Sequence, residues 1–133
     1  MKKLATVRET MDRFVDTLGP DWDVMDAIDF LLEKRVTGAP VVDARGKLVG
    51  MLTETDCLRI VATGKDGDEP HGKVADYMTT DVQTIPANMD VYFAAGLFLN
   101  ARFRRFPVVD DGRLVGVVTR FDILRAVQRG LRS

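Results

Sequence analysis

Apolar residues along this chain change their period in the same order twice. Val24, Ala27, Ile28, Leu31 and Leu32 fall at i, i+3, i+4, i+7 and i+8, the spacing of one buried helix face. Val91, Ala94, Ala95, Phe98 and Leu99 repeat that stripe. Asp23 and Asp90 stand where each helix would begin, a residue type whose carboxylate can accept from first-turn N–H groups. Each helix is followed by a short β-branched run, Pro40 to Asp43 or Pro107 to Asp110, and then by a turn. The first turn runs from Asp43 to Gly46; the second is Asp110-Asp111-Gly112, whose Asp-Gly pair is a strong hairpin signal. A second apolar strand runs from Leu48 to Leu52, or Leu114 to Val118. A closing helix then carries Leu58 and Val61, or Ile123, Leu124 and Val127. A short strand, Val15 to Leu18 or Val82 to Ile85, precedes each first helix. The unit reads β-α-β-β-α.

The duplication extends beyond the pattern to the residues themselves. Pro40 pairs with Pro107, Asp23 with Asp90, Thr17 with Thr84, Met11 with Met78 and Val7 with Val74, all at one offset. After a one-residue deletion in the second turn, Gly50 pairs with Gly116, Thr53 with Thr119, Asp56 with Asp122 and Arg59 with Arg125. A repeat this long makes the chain a tandem of one unit. Repeat 1 is assigned to 7–62, a Gly- and charge-rich linker to 63–73, and repeat 2 to 74–129. One repeat alone is too small to bury both helix faces well. The expected fold is therefore mixed α/β, with the two repeats packed sheet to sheet.

Composition narrows the function. The chain has 133 residues, 46% hydrophobic and 29% charged, an ordinary globular mixture. A net charge of -1 creates no overall field for nucleic acid or an anionic membrane. Cys57 is the only cysteine, and His71 is the only histidine and sits in the linker. No intrachain disulfide, metal-ligand cluster or Cys/His nucleophilic pair can be assembled from these. There is no Walker loop and no dinucleotide fingerprint. The basic start Met1-Lys2-Lys3-Leu4 is followed by no apolar h-region, and no apolar run approaches a membrane span. A cytoplasmic, non-enzymatic protein is expected.

The order Pro-Val-Val-Asp, then Gly-Lys/Arg-Leu-Val-Gly, then Thr-x-x-Asp, found twice, resembles the cystathionine-β-synthase (CBS) domain. Two in tandem are similar to a Bateman module, which implies pseudo-twofold symmetry between the repeats. The resemblance covers almost the whole chain and implies a stand-alone pair that binds adenosine-containing ligands in clefts between the repeats. It implies AMP, ADP or ATP, with S-adenosylmethionine as a further candidate. It also implies a homodimer and a regulated partner protein, without nucleic acid or membrane.

The candidate site follows from Thr53-Glu54-Thr55-Asp56 and Thr119-Arg120-Phe121-Asp122. Each spacing suits a capping box at a strand-to-helix junction. The same geometry suits a ligand: the carboxylate can accept ribose hydroxyls, and the Thr hydroxyl and helix N–H groups can bind phosphate. In the family the Asp is the usual ribose contact, a role the resemblance carries to Asp122 and Asp56. Repeat 2 adds Arg104, Arg105 and Arg120, where repeat 1 has Thr37, Gly38 and Glu54. Arginine forms forked bonds to phosphate, and Glu repels it. A phosphorylated ligand is expected beside Asp122, with an empty, weaker or less charged site beside Asp56. Family geometry adds the segment from Thr10 to Asp16 to the site of repeat 2, and that from Met78 to Gln83 to the site of repeat 1. Val36, Ala39, Phe103 and Phe106 are candidates for an apolar slot around adenine, although core burial is the commoner fate of such residues. Arg102 and Arg113 are read as solvated surface, and Cys57, Trp22 and Met89 as packing residues. The main alternative is a docking or dimerisation module that needs no ligand; weak nucleic-acid binding through Arg102 to Arg105 would instead show steep salt dependence.

Overall fold

The computed structural model describes residues 4–64, 69–101 and 104–132. Its elements are α1 (Val7–Thr10), α2 (Val24–Lys34), β1 (Gly38–Val42), β2 (Leu48–Thr53), α3 (Glu54–Thr63), α4 (Val74–Tyr77), β3 (Ile85–Pro86), α5 (Val91–Leu99), β4 (Arg105–Asp110), β5 (Arg113–Thr119) and α6 (Arg120–Arg132). The content is mixed helix and strand, with the same hairpin-and-helix plan in both halves. The two compact units do not coincide with the two sequence repeats. A central unit comprises Asp16–Val82, and a terminal unit comprises the residues up to Val15 together with those from Gln83 onward. Each unit thus holds the body of one repeat and the opening segment of the other.

In the central unit β1 and β2 pair antiparallel with Gly38 opposite Thr53 and Pro40 opposite Met51. Leu18 adds to β1 in parallel at Val41, and Thr79 adds to β2 in antiparallel sense at Met51. The core gathers Leu18, Ala27, Leu31, Ala39, Val41, Leu52 and Val74. In the terminal unit β3 runs parallel to β4, and β4 pairs antiparallel with β5, with Arg105 opposite Thr119 and Pro107 opposite Val117. Asp12 adds to the free edge of β5 at Val117. Val7, Met11, Ile85, Ala87, Val91, Ala94, Phe98, Phe106, Val108, Val118 and Ile123 form its core.

Local chemistry accounts for the elements. The Asp23 side chain accepts from Met25 N–H and the Asp90 side chain from Phe93 N–H, so both helix starts are capped as expected. In the second hairpin Asp111 and Gly112 have φ of 57° and 78°, the doubly positive pair that a two-residue turn between twisted strands requires. The first hairpin is one residue longer. There Asp43 accepts from Arg45 and Lys47 N–H, and Gly46 alone takes φ of 79°. Gly50 and Gly116 have a packing role. A Cβ at Gly50 would lie 2.9 Å from the Thr79 carbonyl oxygen, and one at Gly116 would lie 2.8 Å from that of Asp12. Only glycine lets the added segment reach the strand edge.

Several expected positions are corrected. The final residue of each helix stripe is outside: Leu32 is 72% and Leu99 86% exposed, whereas Val24, Ala27, Leu31, Val91, Ala94 and Phe98 are buried. A helix buries only about the width of the sheet beneath it, and the i+8 residue overshoots that width. In the closing helices Ile60 and Ile123 are buried, and Leu58, Val61 and Leu124 are exposed. The short opening strands shrink to a bridge at Leu18 and to Ile85–Pro86. Trp22 caps its helix region by an edge-to-face contact with Phe30 at 5.5 Å.

Candidate functional site

Each Thr-x-x-Asp sequence forms the turn from a strand into a helix, as its spacing predicts, and each folds as a reciprocal pair. In the central unit Thr53 N–H donates to Asp56 Oδ2 at 2.9 Å, and Asp56 N–H donates to Thr53 Oγ1 at 3.2 Å. In the terminal unit Thr119 N–H donates to Asp122 Oδ2 at 2.8 Å, and Asp122 N–H to Thr119 Oγ1 at 3.3 Å. Both acids are buried. The capping role therefore holds at both sites, and any ligand role must use what capping leaves free.

What is left free differs. Asp56 is engaged at both oxygens: Thr53 Oγ1 donates to Oδ2 at 3.0 Å, and the Thr79 hydroxyl lies 3.1 Å from Oδ1 and 3.2 Å from Oδ2. Asp122 Oδ1 accepts no hydrogen bond among the described residues; its neighbour there is Arg125 Nη2 at 3.8 Å. Thr10 reaches the same turn by donating to the Asp122 carbonyl at 2.8 Å.

Three basic residues adjoin this turn in the chain or the sheet. The β4–β5 register sets Arg105 directly opposite Thr119, Arg104 precedes it, and Arg120 opens α6. All are exposed, and none forms an ion pair among the described residues. In the central unit the matching register sets Gly38 opposite Thr53, with exposed Thr37 and Glu54 on either side. Unpaired guanidinium groups at a helix start complement an anion; a carboxylate there does the opposite.

The expected adenine slot is only partly available. Phe106 is 1% exposed and packs on Phe98 at a centroid distance of 4.8 Å, and Ala39 is 1% exposed in the central core. Both are core residues, because each faces inward from a strand flanked by helices. At Ala39 only the backbone remains to meet a ligand. Val36 is half-buried against the central core, and Arg102 and Phe103 lie outside the described residues. An exposed aromatic that the pattern did not single out is Phe14, on the segment that carries Thr10 and Asp12. Cys57 packs against the central core, and burial together with the neighbouring Asp56 charge pushes its thiol pKa up. That environment suits a packing residue, not a nucleophile. Among the described residues no group of His, Cys, Asp and Glu could hold a metal, and no helix is long and apolar enough to cross a membrane.

Known proteins are similar to this chain in sequence or fold. The uncharacterized protein MJ1225 of Methanocaldococcus jannaschii is 36% identical over 119 residues, which are 90% of this chain and 41% of that protein. The CBS domain-containing protein YhcV of Bacillus subtilis is 35% identical over 121 residues, 90% of this chain and 84% of YhcV. Among solved structures, Arabidopsis thaliana CBSX2 in complex with AMP superposes with a TM-score of 0.78 at 33% identity, covering 96% of this chain and 98% of CBSX2. The CBS domain pair of protein MJ0100, in complex with 5′-methylthioadenosine and S-adenosyl-L-methionine, superposes with a TM-score of 0.73 at 28% identity, covering 96% and 98%. The CBS domain description itself matches twice, over residues 7–63 and 74–129. Two matches that take up most of the sequence, on a fold shared with CBS-pair structures, place this chain in the CBS domain family.

Proposed function

We propose that the chain is a regulatory module that binds an adenosine-containing ligand in its terminal unit and passes the occupancy of that site to a partner protein in the cytoplasm. The observation that carries the reading is the pairing of an open Asp122 Oδ1 with three unpaired arginines, Arg104, Arg105 and Arg120, around one turn. Asp122 would accept a ribose hydroxyl. The Thr119 hydroxyl, which already accepts from Asp122 N–H, retains a proton to donate to phosphate. The three arginines favour AMP, ADP or ATP over S-adenosylmethionine, which has no phosphate. The AMP bound by CBSX2 and the adenosine compounds bound by MJ0100 support the class of ligand. Thr53 and Asp56, with Thr37, Gly38 and Ala39, form the weaker counterpart. Occupancy becomes a signal only if the ligand binds two states of the module with different affinity. Titration of AMP and ATP against the protein and its Asp122→Ala variant tests this; equal affinity in both removes Asp122 from the site.

A second reading is a docking or dimerisation module that needs no ligand. The exposed Leu58 and Val61 of α3 and Phe121 and Leu124 of α6 favour it, since exposed apolar clusters mark contact surfaces. The same residues would serve a homodimer under either reading. A thermal-shift panel of adenosine compounds separates the two, because a ligand of the native state raises apparent stability by mass action. The absence of any shift at millimolar ligand would favour docking alone.

A further inference from the structure

The two acidic turns also differ in the segment added beside them. Met51 and Thr79 exchange both backbone bonds, each at 2.8 Å, and Val117 and Asp12 exchange the same two bonds, each at 2.9 Å. Met51 corresponds to Val117 and Thr79 to Asp12 in the duplication, so these residues occupy one structural position in the two units. From that position Thr79 donates its hydroxyl to Asp56. Asp12 has no proton to donate; its Oδ1 accepts from Phe14 N–H at 2.9 Å. Resting on the nucleotide-binding reading, we infer that the residue at this position decides which of the two carboxylates can receive a sugar. Thr79 fills the acceptor that a ribose hydroxyl would use on Asp56, and Asp12 leaves Asp122 Oδ1 open.

The physical reason is competition for one acceptor. A ligand at Asp56 would have to displace a hydrogen bond to a charged group, whereas a ligand at Asp122 has only the 3.8 Å ion pair with Arg125 to loosen. Hydrogen bonds to charged groups correspond to about tenfold to a hundredfold in affinity. The chain therefore carries one working site and one site satisfied from within, built on the same scaffold.

Threonine and valine have the same shape and differ at this position only by the hydroxyl. The test is calorimetric titration of AMP and ATP into the wild-type chain, Asp12→Thr, Asp12→Val and Thr79→Val, with Asp122→Ala as reference. The expected wild-type stoichiometry is one nucleotide per chain, lost in Asp122→Ala. Asp12→Thr should bind about tenfold or more weakly than Asp12→Val, and Thr79→Val should gain a second, weaker site, because Glu54 and the missing arginines still disfavour phosphate there. If Asp12→Thr and Asp12→Val weaken together, Asp12 is itself a ligand contact and the inference fails while the nucleotide site stands. Two equal sites in the wild-type chain would also overturn it. If neither nucleotide binds the wild-type chain, the proposed function and this inference fall together. Circular dichroism on each variant confirms that the fold is retained, and Asp12→Asn, whose amide can also donate, should repeat the loss seen in Asp12→Thr.

Discussion

At Phe106 and Ala39 the same strand position is filled by very different volumes. The terminal unit pairs Phe106 with Phe98, where the central unit has Ala39 and Leu31. The same divergence recurs at the acidic turns, where Asp56 accepts from Thr53 and Thr79 and Asp122 keeps one oxygen open. Against these stand features that have not diverged: the two capping pairs, and glycines at Gly50 and Gly116 under an added strand segment. The units keep what closes the fold and vary what fills the core and what faces solvent beside the turn. A duplicated scaffold can do this because the backbone bonds of the added segment do not depend on its side chains.

The largest test of this contrast is Phe106→Ala, which gives the terminal unit the residue that the central unit has at that place. It should cost about 3–5 kcal/mol, because the surrounding helices are spaced for the aromatic pair; urea unfolding measures it. A cost under about 1 kcal/mol would mean that the two cores are interchangeable. Next, Gly50→Ala and Gly116→Ala should cost similar amounts, about 1–3 kcal/mol each, since a Cβ meets a carbonyl oxygen at 2.9 Å or 2.8 Å. Unequal costs would show that the added segments are not held alike.

The acidic turns should separate by less. Asp56→Ala removes the acceptor of Thr53 and Thr79 and should cost about 2–3 kcal/mol, and Asp122→Ala, which leaves the Thr119 N–H without its acceptor, about 1 kcal/mol. The comparison is read from the two midpoints of chemical unfolding, and a reversed order would contradict the occupancy seen at Asp56. The smallest effect belongs to the first hairpin. Backbone N–H groups of Arg45 and Lys47 hold the Asp43 pKa below its ordinary 3.8. A lowered carboxylate pKa stabilises the fold above the unfolded value and loses that contribution as pH falls through the folded one. Asp43→Asn should therefore lower the melting temperature slightly at neutral pH and flatten its fall below about pH 4. An unchanged acid limb would assign the loss to other carboxylates.

Much of this molecule is legible in its sequence. The helix starts at Asp23 and Asp90, the Asp111-Gly112 turn, the two hairpins and the duplication itself rest on local chemistry, which side-chain type and spacing report directly. The reciprocal bonds of the Thr-x-x-Asp turns are equally local, spanning three residues. The errors lie where neighbours far along the chain decide. Leu32, Leu99, Leu58, Val61 and Leu124 continue their apolar stripes in sequence but extend past the surface they pack on. Phe106 and Ala39, read as a slot for a ligand, face inward because their strands are covered on that side.

Composition, period and the paired residues of the two copies were enough to determine a twofold repeat, its elements and its caps. Tertiary structure alone decided which segment completes which sheet in each unit, and with it the different fates of two identical motifs. Thr79 and Asp12 lie far in sequence from the strands they join, and hydrogen bonds bring them there through their backbones. A backbone bond is blind to side chain, so the pattern of residues could not reveal that one carboxylate would be filled and its duplicate left open.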